Sequence, residues 1–100
     1  MTYVEEFKDV IRSRHGAEAD HVDSVPIKET VRGQTVWEGI VEVFELHNHP
    51  TASRLYAWAH ETNDLNKPMR HVTVLHFGPV NSPLKAVRAA ILHDKESGAA

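Results

Sequence analysis

Eight histidines carry most of the chemistry this chain could perform. His47-Asn48-His49 is the best placed pair, because imidazoles two residues apart beside a turn can share a metal ion. A third ligand has to come from nearby. His60 and His71 lie near the opposite end of the hairpin that follows, roughly 20 Å away at strand rise. His76 lies at the right end but on the other face. Two imidazoles alone rarely hold a metal against water, so the expectation is no metal and no cofactor, with a solvated turn at 47–49. His60 and His71 can instead form a pH-sensitive pair, as imidazoles titrate near neutrality. No carboxylate can be placed beside them, and they read as sheet-surface residues.

Glu38, Glu42 and Glu45 are the candidates for acid–base work. Glu38 and Glu42 point the same way along a strand but are four residues apart, too far to share a proton. With no Asp or His assignable against them, they read as solvated carboxylates and no catalytic residue is assigned. Lys85 and Arg88, one turn apart on a helix, can contact phosphate. In an acidic chain they make a small footprint. Trp37, Tyr56, Trp58 and Phe77 form an aromatic stripe, and this is the feature that asks for a cover.

One hundred residues correspond to one domain. The hydrophobic fraction of 41% and charged fraction of 25% are those of a globular chain. The absence of cysteine excludes disulfides, thiolate nucleophiles and Cys-ligated zinc, and fits a reducing cytosol. No apolar run approaches the roughly 18–20 residues of a membrane span, and the acidic start Met1-Thr2-Tyr3-Val4-Glu5-Glu6 is unlike a signal peptide. A cytoplasmic location is expected. The net charge of −3 is uneven: residues 1–50 hold five Lys/Arg against ten Asp/Glu, and residues 51–100 hold six against four. Neither half shows the concentrated basic face of most nucleic-acid binders.

The elements that must position these residues follow from periodicity. Thr2 to His15 predicts a helix, with Thr2 and Glu5 spaced as a capping box, a stripe of Tyr3, Phe7, Val10 and Ile11, and Gly16 as its stop. Ala17 to Thr35 is interrupted by Pro26 and Gly33, and allows a short edge strand near 25–31. Val36 to Leu46, Arg54 to Thr62 and His71 to Phe77 predict three strands. Ser82 as N-cap and Pro83 in the first turn open a second helix, whose inner line is Leu84, Val87 and Ile91. The domain spans 1–95, and 96–100 is a disordered tail.

Short turns make the three strands antiparallel neighbours. Setting His71 opposite Thr62 places Trp58 against Leu75 and Tyr56 against Phe77. One face then carries Tyr56, Trp58, Leu75 and Phe77; a one-residue register change would swap the faces of the first strand, and the more economical register adds Trp37, Val41 and Val43 to this face. The other carries Ile40, Phe44, Leu46, Leu55, Ala57, Ala59, Val72 and Val74. Small alanines admit close helix packing, so both helices are expected on the alanine face, with the aromatic face open.

The resulting α+β fold, in α-β-β-β-α order with a three-stranded antiparallel sheet and two helices on one face, resembles the double-stranded-RNA-binding domain in topology. In that family a lysine cluster opens the last helix. Ser82-Pro83-Leu84-Lys85-Ala86-Val87-Arg88 offers two cations there.

Three functional expectations follow. An open aromatic face predicts an interaction module, not an enzyme, that forms a homodimer through Trp37, Val41, Val43, Tyr56, Trp58, Leu75 and Phe77. The second is a nucleic-acid-binding domain stacking bases on the sheet aromatics or using Lys85 and Arg88. The third is a small-molecule-binding protein or enzyme with a pocket at a dimer interface, which requires a cavity lined by His and by Tyr or Trp.

Overall fold

The computed structural model describes residues 3–61, 65–66 and 69–96. In chain order they form α1 (Tyr3–His15), β1 (Glu18–Val31), β2 (Gln34–His47), β3 (Arg54–Glu61), β4 (Met69–Leu75) and α2 (Pro83–Glu96). The fold is α+β: one antiparallel sheet in the order β1-β2-β3-β4, with two helices. No helix among the described residues is long and apolar enough to cross a membrane. The capping box assigned to Thr2 and most of the tail, residues 97–100, lie outside the described residues, whereas Glu96 belongs to α2.

The helix ends are set by local chemistry. Gly16 takes a φ of 64°, and its amide returns to the carbonyl of Arg12 at 3.0 Å, closing α1 with a left-handed residue. At the start of α2, Ser82 Oγ accepts from the Lys85 amide at 3.2 Å, with Pro83 occupying the first helical position.

The sequence predicts three strands and a fragment; the structure has four. β1 is 14 residues long and follows β2 over its full length. Gly33 does not interrupt it but builds its turn. Arg32 and Gly33 have φ of 53° and 81°, the two positive angles of a type I′ hairpin. Pro26 is accommodated because β1 is an edge strand, with one side that needs no ladder partner.

The second correction concerns β4. Trp58 pairs with Val72 and Tyr56 with Val74, a register three residues from the one expected. An odd shift turns a strand over. Val72 and Val74 therefore join the aromatic face, while Leu75 packs with the alanines. Phe77 lies beyond β4, bridged to Val80 and 65% exposed.

The third correction is the placement of the helices. Phe7 and Ile11 of α1 are fully buried in a cluster with Phe44, Leu46, Leu55 and Ala57. Ala86 and Val87 of α2 belong to a separate cluster with Val41, Val43, Tyr56 and Trp58. Along β2 and β3 the two sets alternate residue by residue, so they occupy opposite faces. The sheet is sandwiched, α1 on the alanine side and α2 on the aromatic side. This differs from the double-stranded-RNA-binding arrangement in strand number and in helix placement. Two largely apolar sheet faces need two covers, and one helix on each supplies them.

Candidate functional site

The ladder between β2 and β3 is short. It runs from Glu45↔Arg54 to Glu42↔Ala57 and stops, although β2 extends back to Gln34 and β3 forward to Glu61. Beyond that point β2 stays with β1, and β3 stays with β4. The two hairpins diverge, and α2 lies over the opening.

A cleft of about 990 Å³ occupies this divergence. Val72, Val74, Val87, Ala90 and Ile91 give it an apolar interior. Trp37 from β2 and Trp58 from β3 span it, their rings edge to face with centroids 5.6 Å apart. Trp58 is buried and Trp37 half-buried. Gly39 explains the pose of Trp37. A Cβ at position 39 would stand 3.0 Å from the tip of the Trp37 ring, so the indole lies over bare backbone.

The polar part of the lining is Arg14, Glu38, His60, Arg70, His71 and Thr73. Arg14 Nη1 donates to the carbonyl of His71 at 2.7 Å, and His15 Nε2 lies 2.9 Å from Thr73 Oγ1. The last turn of α1 is thus latched onto β4. Burial holds the His15 imidazole below its ordinary range, with His49 and Arg14 adding to the effect. Glu38 stands opposite Lys28 across the β1–β2 ladder, and Arg70 opposite His60 across β3–β4.

A second constellation lies on the α1 side. Glu42, read from the sequence as solvated, is 5% exposed. Its Oε1 lies 3.0 Å from His21 Nε2 and accepts from Ser24 Oγ, which is itself 3.2 Å from the same His21 nitrogen. His21 and Ser24 are three apart and belong on opposite faces of a regular strand. A bulge at Val22, between the pairs His21↔Phe44 and Asp23↔Val43, brings both onto one face. No run of residue types signals that bulge. The trio is not a nucleophile relay, because hydroxyl and carboxylate meet the same ring nitrogen and none is left to orient the base. It satisfies a buried carboxylate.

The remaining sequence candidates are dispersed. His47 Nε2 pairs with Asp20 at 2.7 Å, while His49 Nδ1 accepts from the amides of Thr51 and Ala52, so the two imidazoles serve different partners. No three His, Cys, Asp or Glu side chains converge as a metal site among the described residues. His60 and His71 are not a facing pair, since His60 stands opposite Arg70 and His71 opposite Ala59. Arg88 is bound to Glu29 and holds its carboxyl below the usual range, while Lys85 is exposed in the first turn of α2. Of the seven residues assigned to an open aromatic face, Val41, Val43, Tyr56 and Trp58 are buried in the cluster that α2 joins. Trp37 lines the cleft, and Leu75 faces α1. Helix α2 packs on the face that the sequence reading left open to a cover from outside the two helices.

Compared with models of protein families, with curated proteins and with solved structures, the chain matches none.

Proposed function

We propose that this chain is a small-molecule-binding domain whose ligand sits in the cleft between α2 and the diverging hairpins. The observation that carries this reading is the lining: both tryptophans of the chain, two histidines and two arginines around one apolar cavity. Natural ligand pockets are about 300–1,000 Å³, mostly apolar, with a few polar groups that fix orientation. At about 990 Å³ the cleft stands at the upper end of that range. The site forms within one chain, where the sequence reading expected it between two.

Self-association through the sheet is less well supported. The large apolar residues left exposed on the β1–β2 hairpin, Val22, Val31, Val36 and Ile40, are 44%, 53%, 48% and 54% exposed. Glu38 stands between Val36 and Ile40 on their face, and apolar residues scattered in this way are ordinary on monomers.

Fluorescence tests the proposal, because both indoles report on the cleft. Titration with the neutral fluorophore N-phenylnaphthylamine is expected to quench the tryptophans saturably, one molecule per chain. Ala90→Phe, which fills the interior, should abolish the quenching while leaving the fold intact by circular dichroism. Quenching that never saturates, or that survives Ala90→Phe, rules the cleft out as the binding site.

A further inference from the structure

Among the described residues the cleft lining holds two arginines and one carboxylate, and one of the arginines is uncommitted. Arg14 is already engaged with the carbonyl of His71. Arg70 is exposed, and its side chain makes no ion pair or hydrogen bond among the described residues. The residue opposite it is His60, where a sheet pair would ordinarily place a carboxylate against an arginine. The rung Arg70–His60 lies two residues along from Trp58–Val72, so it projects from the same face, about 7 Å from the tryptophan at strand rise. Among the described residues Glu38 is the one carboxylate in the lining, against Arg14 and Arg70, and it stands opposite Lys28 across the ladder.

Building on the reading that the cleft holds a small apolar ligand, we infer that this ligand is an organic anion, its acidic group held by Arg70 with His60 beside it. A guanidinium presents a planar fork that matches two oxygens of a carboxylate, sulfonate or phosphate. The apolar body of the ligand then reaches from that rung onto Trp58 and Trp37. An aromatic or short aliphatic acid has this layout, with charge at one end and a flat apolar surface about 7 Å away. The chemistry asked of the protein is recognition, and no covalent step is involved.

Two fluorophores sharing one apolar body test it: anilinonaphthalene sulfonate and the uncharged N-phenylnaphthylamine, each titrated into the wild type and Arg70→Gln. The wild type is expected to bind the sulfonate roughly tenfold more tightly than the amine, the worth of one charge-assisted hydrogen bond. Arg70→Gln should remove that preference by weakening the sulfonate alone. Added salt should narrow the gap in the wild type and leave the variant unchanged. Equal affinities in the wild type, or a preference that survives Arg70→Gln, overturn the inference and leave the cleft reading standing. Failure of both probes to bind saturably overturns the cleft reading, and the inference with it.

Discussion

Trp37 and Trp58 meet edge to face, ring centroids 5.6 Å apart at 71°, across a gap where their strands share no ladder pair. The contact is made by side chains where the backbone has let go. Edge-to-face pairs contribute about 0.5–1.5 kcal/mol beyond the area they bury. That is small against the conformational entropy of a hairpin arm, so the cleft should be the most adjustable part of the sheet.

The pose of Trp37 depends on Gly39, where an added methyl would stand 3.0 Å from the ring. Gly39→Ala is expected to push the indole away from Trp58, reducing the exciton-coupled circular dichroism of the pair. Ligand affinity should fall several-fold while the melting midpoint moves little. An unchanged exciton signal would show that the ring does not rest on Gly39.

The placement of α2 on the aromatic face has an energetic consequence. Trp58 is 3% exposed and Val87 is fully buried in the same cluster. Trp58→Ala should cost about 3–5 kcal/mol, as large-to-small changes of aromatic core residues do. Val87→Asp, which buries a charge with no assigned partner, should leave the chain unfolded. Denaturant titration checks both. A Trp58→Ala midpoint within error of the wild type would mean that the face is open after all.

The latch between α1 and β4 is expected to make stability fall on mild acidification. Burial lowers the His15 pKa in the fold from its ordinary 6.5, so the native state favours the neutral ring. Below pH 6.5 the unfolded chain takes up the proton first, and the contribution is lost as the pH falls through the lowered folded value. His15→Gln keeps a hydrogen-bonding group near Thr73 without titrating. The variant should therefore lose less stability than the wild type between neutral pH and the mildly acidic range, by thermal melts. Parallel curves for the two proteins would exclude His15 as the titrating group.

Much of the local structure was legible in the chain. The stop at Gly16, the cap at Ser82-Pro83 and the strand content predicted over 36–46 and 54–62 each rest on neighbours in sequence; the stop and the cap are where they were predicted, β2 covers 36–46, and β3 follows the second run from Arg54 to Glu61, with Thr62 outside the described residues. The two faces of β3 were also legible, because alternation assigns a side chain to a side whatever lies on it, whereas for β2 alternation sorted the residues into two sets and left open which set joined which face.

Everything that depends on comparing distant segments was decided by tertiary structure. Val72 and Val74 were placed on the wrong face because the register of β4 is fixed by packing against β3 and α2, and no residue within the strand specifies it. The length of β1 was hidden because Pro26 is a breaker in general and harmless on an edge. Glu42 looked solvated until a bulge at Val22 brought His21 and Ser24 to its side. The cleft has no local signature at all. It exists because the β2–β3 ladder ends after four pairs while both strands continue, and that is a property of how two hairpins twist apart, not of any run of residues within them.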